Sequence, residues 1–150
     1  MKLRSATIFD ATSILLLLLK MHRAMPSAAS FPVHQGKAAQ AIAGVLSNGL
    51  CLVVEDEDSL IVGSIGGYIG RSLWYSDQPV LGDMWFFVLP DHRKSTAADE
   101  LISAFIDKAN ELKVPVQLAH IVGDDMDRKD KFFERKGLVK MGSVFYKAPE

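Results

Sequence analysis

Residues 82–112 read GDMWFFVLPDHRKSTAADELISAFIDKANEL and decide the fold. The apolar, aromatic-rich run 84–89 has the length of a buried strand, and Pro90 ends it because proline has no N–H to donate to a ladder. From Ala98 onward, apolar residues recur at the spacing of an amphipathic helix: Leu101, Ile102, Phe105, Ala109 and Leu112. The stretch therefore predicts a central strand, a short basic turn and a helix.

The turn between strand and helix has the composition of an anion site. It contains His92, Arg93, Lys94, Ser95 and Thr96. Ser95 or Thr96 is a suitable N-cap, and the first turn of a helix offers unpaired N–H groups and a partial positive charge. The turn has no glycine, which argues against a P-loop. A solvated basic turn that only caps the helix is the alternative, since Asp99 and Glu100 already complement the helix dipole.

The run VLPDHRKSTAADELISAF resembles the acetyl-CoA-binding segment of the GNAT family of N-acetyltransferases. The usual form is Val-x-Pro-x-x-Arg-Gly-x-Gly-Ile-Gly followed by a helix. Val88, Pro90 and Arg93 match it, while Thr96 and Ala98 stand where its two later glycines would be. Residues 93–98 fit better a divergent branch, common among phage and bacterial sequences, in which the loop reads Arg-x-Ser-x-Ala-Ala.

This resemblance implies acetyl-CoA as the cofactor. The implied cofactor-binding residues are Phe87 and Val88, whose backbone pairs with the pantetheine, and Arg93, Lys94, Ser95, Thr96, Ala97 and Ala98 on the pyrophosphate.

A second motif lies near the C-terminus. The run KFFERKGLVKMGSVFYK resembles the GNAT pattern Leu-Tyr-Glu-Lys-Leu-Gly-Phe followed by a last strand. Phe133 stands at the tyrosine, which in many members protonates the departing coenzyme A thiolate. Phenylalanine has no proton to give.

The order of predicted elements agrees with this family. Strands are expected at residues 3–7, 50–54, 60–75, 80–89, 114–122 and after 137, and helices at 9–24, 35–47, 98–112 and before Gly137. Thr7 or Asp10 is expected to begin the first helix, and the glycines at 63, 66, 67 and 70 suggest bulges or close backbone contacts. The predicted class is α/β (α+β), with a mixed sheet of about six to seven strands and about four helices in the order β-α-α-β-β-β-α-β-α-β.

Composition narrows the class of protein. A length of 150 residues with 49% hydrophobic and 23% charged residues fits one domain spanning 1–150. A net charge of -1 argues against a nucleic-acid partner. Cys51 is the single cysteine, so an internal disulfide is excluded and a buried, inert thiol is expected.

Targeting and metal signals are weak. The apolar run 14–19 imitates part of a signal peptide, but Lys20 ends it after six residues, and no run has the length of a bilayer span. A cytoplasmic protein without membrane partners is therefore expected. The four histidines lack paired ligand spacing, and we expect no metal site.

Two residues are candidates for the catalytic base. Asp83 lies on the central strand, and simple alternation puts it on the face of Trp85 and Phe87, where apolar surroundings would raise its pKa. His120, near the end of the next strand, is the second candidate. The structural alternatives are an exposed strand start for Asp83 and a satisfied core histidine for His120.

The GNAT layout places the acceptor under the first two helices and the loop between them. It implies Phe31, His34 and Gln35 as pocket candidates. Trp85 on the central strand is a further candidate for substrate binding, and Asp124 and Asp125, just beyond the strand that carries His120, are candidates to bind the acceptor's ammonium group. The alternative readings are a core anchor at Phe31, a surface residue at His34 and a solvated turn at Asp124.

The implied function is transfer of the acetyl group of acetyl-CoA to a primary amine of a small molecule or peptide. The alternative is a catalytically inactive GNAT-like domain that binds a coenzyme A ligand or assembles with proteins. A nucleotide-binding α/β module is disfavoured by the missing phosphate-loop glycines. The aromatic strand and residues 141–146 could also support a homodimer, although a core face explains them equally well.

Overall fold

The computed structural model describes residues 1–71 and 73–150. In chain order the elements are β1 (Lys2–Ser5), α1 (Ala11–Ala24), α2 (Gln35–Asn48), β2 (Leu50–Glu55), β3 (Ile61–Arg71), β4 (Pro79–Val88), α3 (Ala97–Leu112), β5 (Val116–Gln117) and α4 (Met126–Arg135). Short 3-10 turns at Ile8–Asp10 and Pro90–His92 lead into α1 and α3. No helix within the described residues is long and apolar enough to cross a membrane.

The sheet has the order β1-β2-β3-β4-β5. The first three pairings are antiparallel, whereas β4 and β5 run parallel and pair only at Leu81 with Val116 and at Gly82 with Gln117. The described chain therefore forms a mixed sheet of five strands, and the predicted six to seven strands are wrong.

Two expected strands account for the difference. The strand predicted at 114–122 is reduced to Val116–Gln117, because the chain leaves β4 after Gln117. The strand predicted after Gly137 is absent, since residues 138–150 are neither helical nor paired in the sheet. They run instead toward the α1–α2 loop, where the Tyr146 ring lies 5.9 Å from that of Phe31. The expected strand 60–75 ends at Arg71, residues 74–75 form a turn, and Ser72 lies outside the described residues.

A bulge separates the two halves of β4. Gly66 pairs with Trp85 but Gly67 pairs with Asp83, so Met84 is the extra residue. Both glycines are required by close contacts. A Cβ on Gly66 would lie 2.3 Å from the Trp85 ring, and one on Gly67 would lie 2.0 Å from the Gly82 carbonyl oxygen. The prediction of bulges and close backbone approach at these glycines is confirmed.

Helices cover both faces of the sheet. α3 buries Leu101, Ile102 and Phe105 completely against one face. α1 and α2 cover the other, where Trp85 packs with residues such as Ile14. β1 and β5 are the two edge strands of the sheet, and the short β5 pairs with only two residues of β4.

The buried polar groups of the second face are satisfied. The Trp85 Nε1–H donates to Ser64 Oγ at 3.0 Å, and Ser64 donates to the Leu52 carbonyl at 3.0 Å. Cys51 is buried, and burial raises the pKa of its thiol to about 11. The expectation of an inert, buried thiol is consistent with this environment.

An ion-pair cluster joins the first strand, the first helix and the second strand. The Arg4 guanidinium binds Asp10 at 2.8 Å and Glu55 at 2.7 Å. The hydrogen bond from Arg4 lowers the pKa of Asp10 to about 2. Asp10 is the N-cap residue of α1, and Thr7 begins the 3-10 turn before it, so both predicted starting residues have a role.

Candidate active site

A cleft opens where β4 and the chain after β5 diverge. Their pairing ends at Gly82 and Gln117, while β4 continues to Val88. The space between them has a volume of about 410 Å³. Its walls are residues 83–88 of β4, residues 119–125 and one side of α4. A strand edge without a neighbour on one side can pair with an extended ligand.

Asp83 lies at the point where the strands separate. Its Oδ1 accepts the Ala119 N–H at 3.1 Å. This side-chain hydrogen bond takes the place of the next backbone hydrogen bond between β4 and the chain that follows β5. Burial raises the pKa of this carboxyl to about 6. The alternation that put Asp83 on the face of Trp85 does not hold across the bulge, since Leu81 and Trp85 pack on opposite faces of the sheet.

The register of β3 and β4 determines which backbone groups face the cleft. The Leu89 N–H donates to the Val62 carbonyl at 2.9 Å. Backbone groups alternate along a strand, so those of Phe87 turn toward β3 and those of Phe86 and Val88 turn toward the cleft. Of the two expected pantetheine-pairing residues, Val88 turns its backbone groups toward the cleft and Phe87 turns them toward β3.

The turn after β4 forms the far end of the cleft. Ser95 Oγ donates to the His92 carbonyl at 2.6 Å and accepts the Ala97 N–H at 3.2 Å. Thr96 occupies the N-cap position, but its hydroxyl donates to Glu100 at 2.8 Å. The hydroxyl of Ser95 thus caps the first turn of α3.

The other predicted turn residues differ in their access to the cleft. Ala97 is fully buried and Ala98 lines the cleft, whereas Lys94 is exposed and lies outside its wall. The cofactor prediction that rests on Lys94 therefore receives no support from the geometry.

Arg93 is held in place by three contacts. Its Nε donates to the Val88 carbonyl at 3.4 Å, its guanidinium lies 5.6 Å from the centre of the Phe87 ring, and its Nη1 donates to Asp124 at 2.8 Å. Lys129 binds the other oxygen of Asp124 at 2.5 Å. These two cations lower the pKa of Asp124 to about 2, Lys129 being the larger cause. The carboxylate of Asp124 therefore bridges Arg93 and Lys129 at this end of the cleft.

His120 forms a dyad on the α4 side. Its Nε2–H donates to Asp130 Oδ1 at 2.6 Å, and the other Asp130 oxygen accepts from Lys140 at 2.7 Å. These hydrogen bonds lower the pKa of Asp130. The imidazole stacks on Phe133 with ring centroids 5.5 Å apart and planes 15° apart. Its Nδ1 is buried and has no hydrogen-bond partner among the described residues.

Of the predicted acceptor residues, Trp85 and Asp124 line the cleft, whereas Phe31 and His34 do not. Phe31 is 63% exposed on the α1–α2 loop. His34 caps α2, with its Nδ1 accepting the Lys37 N–H at 3.0 Å, and Gln35 is the first residue of that helix. The Trp85 side chain belongs to the core. Asp124 does line the cleft, but its carboxylate is bound to cations.

Nine of the predicted site residues line the cleft: Asp83, Trp85, Phe87, Val88, Arg93, Ser95, Ala98, His120 and Asp124. The structure adds Phe86, Lys129, Asp130 and Phe133 as neighbours. The spacing of Asp130 and Phe133, three apart on a helix, could have signalled that the two flank one partner. Among the described residues, no group of three or more His, Cys, Asp or Glu side chains is arranged to hold a metal.

Comparison with solved structures identifies the fold. The aminoglycoside 6'-N-acetyltransferase AAC(6')-IG from Acinetobacter haemolyticus aligns with a TM-score of 0.72 and 17% identity, covering 100% of this chain and 99% of that one. A putative acetyltransferase from Agrobacterium tumefaciens aligns with a TM-score of 0.72 and 18% identity, covering 99% and 100%. AAC(6')-Iy, solved with a coenzyme A bisubstrate analogue, aligns with a TM-score of 0.72 and 15% identity, covering 99% and 97%.

Sequence comparison identifies the family. No curated protein sequence matches the chain. The profile of the acetyltransferase (GNAT) family matches residues 19–138, which is most of the chain. The predicted GNAT fold and the predicted acetyl-CoA-dependent N-acetyltransferase are both confirmed at this level. The protein belongs to the GNAT family of acetyltransferases.

Proposed function

We propose that acetyl-CoA lies along β4, with its pyrophosphate on the turn 93–98 and its acetyl group near Asp83. The observation that carries this proposal is the free edge of β4 between the start of α3 and the point of strand divergence. Val88 lies five positions after Asp83, a strand length of about 17 Å that an extended pantetheine arm can follow. The Phe86 and Val88 backbone groups supply its hydrogen bonds.

The pyrophosphate is held by cations and by the first turn of α3. Arg93 and Lys129 both bind the Asp124 carboxylate, and a phosphate group carries the same kind of charge. Ser95 and Ala98 border the same space, where unpaired N–H groups of the helix start attract anions. Phosphate binding displaces Asp124, whose freed carboxylate can then receive the ammonium group of the acceptor.

In the proposed reaction Asp83 takes the proton from the acceptor amine. A carboxyl with a pKa of about 6 is ionised at neutral pH and is a stronger base than an exposed aspartate. The neutral amine attacks the thioester carbonyl, and the N–H groups on the cleft edge of β4 stabilise the oxyanion. No metal is needed for this step, because the charge that develops is met by hydrogen-bond donors.

The acceptor that we propose is a primary amine of a small molecule or peptide. The solved relatives named above include enzymes that acetylate aminoglycosides, which are cationic amines. The cleft carries matching carboxylates at Asp83, Asp124 and Asp125. Phe31 and His34 are proposed as outer contacts that the acceptor meets as it enters past the α1–α2 loop, while Trp85 supports β4 from the core.

Further assignments remain part of this proposal. Residues 93–98 fit the divergent phage and bacterial branch of the family, and residues 1–150 are taken as one catalytic domain. We also propose a cytoplasmic protein that forms a homodimer and has neither nucleic-acid nor membrane partners.

The cofactor site is tested by isothermal titration with acetyl-CoA. We expect Arg93→Ala to weaken binding about tenfold, because it removes a charge-assisted hydrogen bond worth roughly 1.5 kcal/mol. Asp124→Asn is expected to tighten binding several-fold, because the internal anion loses its charge. Lys94→Ala is the matched control and should bind like the wild type, since Lys94 is exposed outside the cleft.

Wild-type protein that does not bind acetyl-CoA would contradict the proposal, as would an Arg93→Ala variant with unchanged affinity. Catalysis is then measured as release of coenzyme A with a panel of primary amines. Tight binding without turnover on any of them would favour the inactive, ligand-binding alternative.

A further inference from the structure

We propose that His120, held by Asp130, is the general acid that protonates the departing coenzyme A thiolate. This inference rests on the proposed function and adds the proton donor that the reaction lacks. It starts from Phe133, which lines the cleft and has no dissociable proton.

The described cleft wall offers few other donors. Arginine side chains keep their protons under all ordinary conditions. Asp83 is ionised when it accepts the amine proton, and Asp124, whose side chain is exposed, carries a carboxylate at neutral pH that has no proton to give. A histidine gains and loses its proton near neutral pH, which is the property that a general acid needs.

The hydrogen bond between His120 and Asp130 determines which imidazole nitrogen is left without a protein partner. The Asp130 carboxylate accepts the Nε2–H of His120, and Lys140 holds the second oxygen of that carboxylate. Nδ1 is therefore the nitrogen left without a protein partner. A buried imidazole nitrogen without a partner is costly to the fold, so its retention calls for a functional explanation.

The aromatic contacts place the imidazole beside the expected path of the pantetheine. Phe133 stacks on His120 and also lies 6.2 Å from Phe86, the residue whose backbone faces the cleft. The Ala119 N–H binds Asp83, so the proposed base contacts the residue that directly precedes His120, and both side chains line the cleft. The two groups can thus act on one tetrahedral intermediate, from its amine side and from its sulfur side.

The carbon–sulfur bond of the tetrahedral intermediate breaks, and its electron pair goes to sulfur. Sulfur takes the Nδ1 proton of the imidazolium, which becomes a neutral imidazole. The amine proton is already on Asp83, and exchange of one proton with solvent at each residue restores both groups. The net products are the acetylated amine and coenzyme A with its thiol.

The first test combines His120→Asn with a change at Phe133. We expect His120→Asn to lower kcat about 100-fold, the usual effect of removing a general acid, with little change in the KM for acetyl-CoA. In that background Phe133→Tyr should restore at least a tenth of the lost rate by supplying a phenol proton next to the same site. Phe133→Leu is the matched control and should restore nothing. Asp130→Asn, which alters only positioning, should lower kcat less than His120→Asn.

The second test does not depend on turnover. The thiolate of bound coenzyme A is followed by its ultraviolet absorbance as pH is raised. A neighbouring imidazolium lowers a thiol pKa, so the bound thiol of the wild type should ionise at lower pH than free coenzyme A. In His120→Asn and His120→Gln it should ionise like the free thiol. Affinity for acetyl-CoA, measured on each variant, shows that the cleft is folded.

The outcomes separate the two proposals. Unchanged kcat in His120→Asn, or an unchanged thiol titration in both variants, would overturn the role of His120 while leaving acetyl transfer in place. A wild type that acetylates no amine but shows the His120-dependent thiol shift would refute the proposed function and support the placement of the acid.

Discussion

Burial of the Asp83 carboxylate lowers the stability of the folded protein, and the same burial produces the raised pKa that the proposed chemistry requires. The Asp83 carboxyl is removed from water, which raises its pKa from 3.8 to about 6 and keeps it basic. The unfolded chain ionises this group near pH 4, but the folded protein does so only near pH 6. Its contribution to the free energy of unfolding therefore falls as pH rises through this range and stays low above it.

Asp83→Asn is predicted to separate activity from stability. The wild-type profile of kcat/KM should fall below pH 6, because the base becomes protonated, and the variant should lose about 100-fold or more in kcat. The variant's Tm should exceed that of the wild type at pH 8, and the gap should close as pH approaches 4. Steady-state kinetics and thermal melts across pH measure both effects.

Asp107→Asn, on the exposed side of α3, is the matched control and should alter neither profile. A variant at Asp83 with full activity at pH 8 would exclude this residue as the base.

The sequence showed which residues are candidates for the site, but it did not always show which groups surround them in the folded protein. The sequence identified Asp83 and His120 because carboxylates and imidazoles near strand ends are candidates for proton transfer. It could not show that one extra residue at Met84 changes the face of Asp83, because a bulge depends on the partner strand. It also could not show that α4 would supply Asp130 to His120, since that contact joins separate elements.

The bulge in β4 determines the direction in which the Asp83 side chain points. It shifts the register between Gly66 and Gly67, and so turns Asp83 toward the chain that follows β5. The neighbouring backbone leaves no space for a side chain at Gly67, where the nearest atoms belong to Gly82 and to Asp83. The geometry of the proposed base therefore depends on a glycine in a neighbouring strand.

Gly67→Ala is predicted to destabilise the protein by about 3 kcal/mol, because the new Cβ would overlap backbone that cannot rotate away. Denaturant unfolding measures this change, and activity at low temperature should fall as β4 shifts. Gly70→Ala in the same strand has no atom within 4 Å of the added Cβ and should change stability by less than about 1 kcal/mol. Equal effects at the two glycines would show that the register tolerates a side chain at 67.

Elements that depend on local pattern were predicted well, and those that depend on distant partners were not. The periodicity of α3 and the apolar run of β4 contain their own signals, and both elements lie where they were expected. Residues 114–122 have the composition of a strand, yet only Val116–Gln117 pairs, because Asp83 takes the Ala119 N–H. Composition alone does not reveal such competition for a backbone donor.

At the scale of the whole molecule, the C-terminal segment 138–150 is unusual for its exposed apolar surface. Val139, Met141, Val144 and Phe145 are between 76% and 93% exposed. Large apolar side chains exposed close together commonly mark an interface. We propose that a second copy of the chain covers this segment in the homodimer.

Phe145→Glu is predicted to convert a dimer into a monomer, because a buried, unpaired carboxylate would oppose association. Light scattering after size-exclusion chromatography measures the molar mass. Phe9→Glu is the matched control, since Phe9 is equally exposed at 93% but lies before α1, and it should leave the mass unchanged. A monomeric wild type at all practical concentrations would refute the homodimer.

Asp124, which bridges Arg93 and Lys129, raises the affinity that an anionic ligand needs in order to bind in this cleft. Any ligand that reaches Arg93 and Lys129 must replace a carboxylate that already holds both. Inorganic phosphate or a simple nucleotide exchanges one anion for another and gains little by doing so. A ligand that also pairs with the free edge of β4 gains further contacts, and we expect such a ligand to open the bridge. We therefore expect this cleft to bind small anions only weakly, without any residue dedicated to excluding them.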